Sequence, residues 1–162
     1  MARLDLKIDG PAATERLGHL LAASLGAGDV VALEGPLGAG KSVLARAIIR
    51  HVCPHEDDIP SPTFTLVQTY EPADGPALMH FDLYRLDTAD DALELGIEDA
   101  FIESICLIEW AQYLGPYMPR TALTVSIQPV PDRLESRTIS LDGGDRWQPV
   151  LTAVEAVMKT DS

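Results

Sequence analysis

Leu4, Leu6 and Ile8 alternate with Asp5 and Lys7, a period of two that predicts a short half-buried strand. Gly10-Pro11 breaks the pattern. Leu17, Leu20, Leu21 and Leu25 then recur at helical spacing and predict a helix from near Thr14 to Gly26. Val30-Val31-Ala32-Leu33 is apolar without alternation, the mark of a strand covered on both faces. Ser42 to His51 reads as a buried helix stopped by Pro54. The acidic stretch His55 to Pro62 carries two prolines and reads as an exposed loop. Phe64–Tyr70 and Leu78–Tyr84 are rich in strand formers and flank the turn cluster Glu71 to Pro76, which predicts a hairpin. Short helices are expected around Gly96. Ile105-Cys106-Leu107-Ile108 is a second wholly apolar strand, ending in Glu109. Leu123, Val125 and Ile127 alternate, as do Thr138 to Leu141, and Trp147, Val150, Leu151, Val154 and Met158 predict a closing helix. Buried strands separated by helices predict an α/β, three-layer sandwich. Its central sheet is expected to be mostly parallel, flanked by helices, with one antiparallel hairpin. No repeat or long linker divides residues 1–162, so a single domain is expected.

Charge narrows the functional classes. The chain has 25 acidic and 12 basic residues, a net charge of −13. That balance argues against a direct grip on nucleic acid or anionic membrane, both of which call for clustered lysine and arginine. Cys53 and Cys106 are too few for a disulfide framework and read as free thiols of a reducing compartment. No apolar signal core and no run of about 18 apolar residues is seen, so a cytoplasmic protein is expected.

Directly after the first buried strand comes Gly35-Pro36-Leu37-Gly38-Ala39-Gly40-Lys41-Ser42, which meets the pattern G-x-x-x-x-G-K-[ST]. Glycines let the backbone curl so that its N–H groups cradle phosphates. The following helix aims its positive end at the same anion. Lys41 would reach the outer phosphates, and the Ser42 hydroxyl can ligate magnesium. A chance match is expected in roughly one chain of this composition in several hundred. This one also sits between a buried strand and a helix, and uses one of only three lysines. The sandwich is therefore read as a P-loop NTPase fold. These loop residues, with Val43 after them, are the expected ATP contacts.

A guanine-specific GTPase would show an Asn/Thr-Lys-x-Asp motif after a strand and an Asp-x-x-Gly switch. The first has only the poor match Met158-Lys159-Thr160-Asp161 at the C-terminus, and the second is absent. A small-molecule kinase would want an arginine-rich lid, whereas the nine arginines are scattered. A nucleotide-dependent regulatory binder without turnover is the other alternative.

Three further segments complete an ordered set with the loop: Ser61-Pro62-Thr63-Phe64-Thr65-Leu66-Val67, His80-Phe81-Asp82-Leu83-Tyr84-Arg85-Leu86 and Ile108-Glu109-Trp110. In these the chain resembles the TsaE (YjeE) family, from about Thr14 to Arg137. The resemblance implies a weak, magnesium-dependent ATPase needed for threonylcarbamoyladenosine modification of tRNA. It implies action with the TsaD and TsaB proteins, with hydrolysis resetting the modifying complex. Given the acidic charge, tRNA is expected to be met only indirectly, through those partners. The chain departs from the usual family pattern in Ser42, where threonine is commoner, in Pro36, and in Ala111-Gln112 after Trp110, where proline usually follows.

Each candidate also has a plainer reading. Glu109, at a strand end, is implied to hold magnesium directly or through water; the alternative is a strand-end acid in solvent. Asp82 is implied to position the attacking water or a magnesium water, making it a catalytic and metal residue beside Lys41, Glu109 and Ser42; the alternative is the solvated face of a hairpin. Thr63 resembles a switch residue sensing the γ-phosphate, or is ordinary turn chemistry. Trp110 packs near the nucleotide or covers the core. Tyr84 is a packing residue, and Arg85 meets phosphate or a local acid. Thr14 is a helix N-cap, or lies on the adenine side by resemblance. Arg133 and Arg137 both match a late family arginine near the nucleotide. His51, Cys53 and His55 lack zinc spacing and a fourth ligand, and read as a polar helix end.

Overall fold

The computed structural model describes residues 1–36, 38–56, 58–62 and 65–160; Leu37, Asp57, Thr63, Phe64, Asp161 and Ser162 lie outside them. The elements are β1 (Ala2–Asp9), α1 (Gly10–Ala22), β2 (Val30–Glu34), α2 (Lys41–Val52), β3 (Val67–Tyr70), β4 (Leu78–Asp82), α3 (Ile97–Glu103), β5 (Ile105–Glu109), β6 (Leu123–Val130), β7 (Arg133–Gly143) and α4 (Gln148–Thr160). Short 3-10 helices at Ala89–Leu95, Ala111–Tyr117 and Asp145–Trp147 fill connections.

All seven strands form one sheet in the order β1-β7-β6-β2-β5-β4-β3. β2 pairs in parallel with β5 and β6, and β5 with β4. Because β7 is antiparallel to both β6 and β1, strands β1, β6, β2, β5 and β4 point one way and only β7 and β3 oppose them. The predicted hairpin is β3–β4. A second hairpin, β6–β7, was not foreseen; its turn places Asp132 at φ 65°.

Both faces of the centre are covered, which is why β2 and β5 carry apolar runs without alternation. Val31, Leu33, Ile105 and Leu107 join one core with Leu17 and Leu21 of α1, Leu44 and Ile48 of α2 and Leu151 and Val154 of α4. Val30, Ala32, Cys106 and Ile108 face the other core with Phe81, Ile97 and Ala100. β1 alternates buried and exposed along its length because it presents only one face to a core. Trp147 is fully buried and donates its indole N–H to Thr121 O at 2.8 Å.

Two local expectations are corrected. α1 begins at Gly10, not Thr14, and ends at Ala22, not Gly26. Pro11 sits in the first turn, where its fixed φ and missing N–H suit a helix start, so Gly10-Pro11 opens the helix as well as ending the strand. The N-cap is Asp9, and Thr14 is a buried residue inside the helix. The stretch from His55 to Pro62 is not simply exposed: Ile59 joins the core and its carbonyl accepts a 3.3 Å bond from Arg46 Nε.

Candidate active site

The carboxyl ends of parallel strands form a crevice where helices begin, the usual ligand position in such sheets. Here the ends of β2, β5 and β4 meet. Glu34 ends β2, Glu109 ends β5 and Asp82 ends β4. Asp82 and Glu109 are register partners, so their side chains leave the same face of the sheet. That face carries α1 and α2.

The loop after β2 turns on Gly35 (φ 146°), Gly38 (φ 81°) and Gly40 (φ 112°). A Cβ on Gly35 would lie 2.3 Å from the Ile127 carbonyl oxygen, so only glycine fits there. α2 starts from Gly40 with no side-chain cap and no acid in its first turn. Its first-turn N–H groups and positive dipole end are thus left for an anion. The Arg137 guanidinium braces the loop: Nε donates to Ala39 O at 2.8 Å, while Nη1 donates to Leu134 O and Ser136 O at 2.9 and 2.8 Å.

A cavity of about 670 Å³ opens beside this loop, and Gly38, Gly40, Lys41, Ser42, Val43, Asp82, Glu109 and Trp110 all line it, with Ser61 and Tyr84. A smaller cavity of about 290 Å³ shares Gly40 and Val43 and is walled by Thr14, Ala39 and Arg137. Gly35 faces a third space, with Lys41 and Trp110. Pro36 lies on the exposed outer side of the loop and lines none of the three. Leu37 and Thr63 fall outside the described residues. Thr63's neighbours tie back to the site: Leu66 N–H donates to Pro62 O at 2.8 Å, and Leu66 O accepts Asp82 N–H at 2.9 Å.

The carboxylates are buried, not solvated. Asp82 and Glu109 are 6% and 7% exposed, which removes the outward-facing reading of each. Asp82 Oδ1 accepts the Tyr84 N–H at 3.1 Å. Glu109 Oε2 lies 2.9 Å from His80 Nε2, a buried contact that the sequence did not announce. Trp110 takes a left-handed backbone (φ 60°), packs on the second core and lines the cavity. Lys41 Nζ rests 5.0 Å from the Trp110 ring centroid, and the Tyr84 ring packs against Trp110 at a tilt of 49°, centroids 4.8 Å apart. Tyr84 is 57% exposed and does its packing at the surface, against Trp110. Arg85 and Arg133 are exposed and line none of these cavities, whereas Arg137 bonds to the loop at Ala39 O.

The side-chain oxygens at the cavity are the hydroxyls of Ser42, Ser61 and Tyr84 and the carboxylates of Asp82 and Glu109; serine hydroxyls and carboxylates are hard oxygen groups of the kind magnesium takes. Among the described residues no three His, Cys, Asp or Glu side chains gather to hold a metal by themselves. A cation here would need phosphate oxygens to complete its shell, as in phosphate-loop sites generally.

The family model for "Threonylcarbamoyl adenosine biosynthesis protein TsaE" matches residues 8–139. The chain belongs to the TsaE family. The matched stretch includes every candidate residue from Thr14 to Arg137 and leaves out α4. A tRNA threonylcarbamoyladenosine biosynthesis protein TsaE from Rickettsia felis is 40% identical over 115 residues, 71% of this chain and 67% of that one. The TsaE of Bacillus subtilis is 31% identical over 150 residues, 91% of each chain. The fold is shared with the crystal structure of Bacillus subtilis YdiB, at a TM-score of 0.77 and 27% identity over 99% of this chain and 97% of that one. The sandwich is thus shared with that structure, and the glycine-rich loop here follows β2, the central strand of the sheet.

Proposed function

We propose that this TsaE-family chain is a magnesium-dependent ATPase, slow by itself, that serves tRNA threonylcarbamoyladenosine biosynthesis together with the TsaB and TsaD proteins. The convergence of Lys41, Ser42, Asp82 and Glu109 on one cavity at the start of α2 carries this reading. The pathway is that of the relatives, whose names state it.

The loop from Gly35 to Ser42 binds the phosphates of ATP through backbone N–H groups and the start of α2. Lys41 leaves the Trp110 ring and meets the outer phosphates. Thr14, Val43 and Arg137 border the nucleoside side. Ser42 and Glu109 would hold magnesium, with Asp82 beside them; when bound, the ion would supply positive charge against that building on the transferring phosphoryl group. Asp82 would orient the attacking water, free or on the magnesium; the water oxygen forms the new bond to the γ-phosphorus as the β–γ bridging P–O bond breaks, giving ADP, phosphate and a proton. Positioning and preorganised charge supply the catalysis. The Ser61–Leu66 segment, which includes Thr63 and bonds to Asp82 through Leu66 O, reports nucleotide state to the partners. One domain acts here, in the cytoplasm; no helix is long and apolar enough to cross a membrane among the described residues. A net charge of −13 leaves tRNA contact to the partners.

Phosphate release should be followed for the chain alone and with TsaB and TsaD, with and without magnesium. The expected result is slow magnesium-dependent release, stimulated by the pair and lost in Lys41→Ala. Asp82→Asn should lower turnover by about 100-fold while ATP still binds. Phosphate appearing on an added acceptor instead of in water would make the protein a kinase. Tight ATP binding with no release under any condition would make it a regulatory binder.

A further inference from the structure

Glu109 is buried, and a buried carboxylate is costly unless a donor meets it. Its described side-chain partner is His80, with Nε2 2.9 Å from Oε2. An ionised carboxylate only accepts hydrogen bonds, so the proton in this contact belongs to Nε2. The other ring nitrogen, Nδ1, is buried and has no partner among the described residues. An orphaned lone pair is better tolerated than an orphaned N–H, which favours the same tautomer. His80 is itself 4% exposed, on the central part of β4, so its ring has little freedom.

The strand register explains the geometry. Asp82, not His80, stands opposite Glu109 in the parallel ladder; His80 stands opposite Leu107. His80 and Asp82 lie two residues apart on one face, so the imidazole reaches Glu109 diagonally from behind while Asp82 sits beside it at the cavity. His80 is absent from the residues lining the cavity and touches Glu109 from the protein side. One carboxylate oxygen of this cavity-lining residue is thereby tied down from the protein side.

We propose that His80 is a positioning residue: its Nε2–H fixes the rotamer of Glu109 and directs the free oxygen toward a phosphate-bound divalent cation. This rests on the reading of Glu109 as a magnesium residue. Partners of this kind behind metal-binding side chains hold their ligands in orientation, and their loss weakens metal affinity about 10- to 100-fold.

The test compares His80→Gln, whose amide nitrogen can reach the place of Nε2, with His80→Asn, whose shorter amide cannot. ADP binding is titrated calorimetrically across a magnesium series, and thermal unfolding is recorded for each variant. The magnesium concentration giving half the full enhancement of ADP affinity should rise at least about tenfold in His80→Asn and recover most of the way in His80→Gln. Metal-free ADP affinity should stay near wild type in both. Equal behaviour of the two variants, whether both normal or both impaired, would overturn the proposal. Independently of any variant, nitrogen-15 shifts of the His80 ring in the intact protein should report a protonated Nε2 and a bare Nδ1; the reverse tautomer would also overturn it. If wild-type ADP binding shows no magnesium dependence while the ring shows the Nε2–H tautomer, the metal role of Glu109 fails, and the positioning role toward a cation falls with it.

Discussion

Gly35 is where the chain leaves β2, and its φ of 146° together with the 2.3 Å approach of the Ile127 carbonyl leaves no room for a side chain. Gly35→Ala should therefore both strain the backbone and push on β6, costing about 2 kcal/mol or more of stability in urea unfolding. A variant as stable as wild type would contradict the geometry. The loop was legible in the sequence because all its chemistry lies in eight consecutive residues. Other residue-scale facts were not legible because they depend on registers that periodicity does not give. Arg133 and Arg137 look alike in sequence; the guanidinium that reaches Ala39 O is that of Arg137, opposite Ile8 and Pro129 in the sheet. The contact of His80 with Glu109 spans 29 residues and needs the parallel pairing of β4 with β5. Thr14 passed for a cap because proline was read as a breaker, although it also suits a helix's first turn.

At the scale of elements, the phosphate loop is only as well placed as α2, and α2 is held against α1 at Gly18. A Cβ on Gly18 would lie 2.6 Å from the Ala47 Cβ and 3.2 Å from Leu44 O. Gly18→Ala should force the helices apart and cost roughly 1–3 kcal/mol, with weaker ATP binding than the stability loss alone explains. Denaturant midpoints and ATP titration check this; an unchanged midpoint would show that the helices yield freely. The buried strands β2 and β5 could be read from composition because doubly covered strands carry uninterrupted apolar runs. The β6–β7 hairpin could be read as two alternating strands but not as a pair, since pairing is set by the turn at Asp132 and the irregular register at Pro129 and Val130. Ile59 illustrates the limit for loops: one apolar residue in an acidic stretch gives no periodicity, yet it anchors the segment to the core.

Over the whole molecule, charge and burial set the response to solution conditions. Cys106 is buried on β5 and donates its S–H to Ala100 O at 3.4 Å, and burial pushes its thiol up to about 12 from an ordinary value of 9.0. The folded state therefore disfavours the thiolate. Its contribution to stability is whole below about pH 9 and is lost as pH rises toward about 12. Cys106→Ala should flatten part of the alkaline fall in unfolding free energy, measured from pH 8 to 11, and native Cys106 should resist alkylation until the chain unfolds. An identical alkaline profile in the variant would contradict this. The net charge of −13 bears on partners: tRNA binding by the chain alone should be weaker than about 100 µM at physiological salt, by mobility shift or anisotropy. Fold class and charge were legible because they are sums over many residues, whereas the partner-facing surface has no comparable signature.

If the cleft at the start of α2 takes ATP with magnesium through Lys41 and its neighbours, ATP affinity depends on both the ion and that side chain. Equilibrium titration of ATP into the wild-type chain and into Lys41→Ala, each with and without magnesium, tests it most directly. Magnesium should enhance binding by the wild type, and Lys41→Ala should lose at least about 100-fold in affinity at unchanged thermal stability without nucleotide. Equal ATP affinity in the two proteins would contradict it.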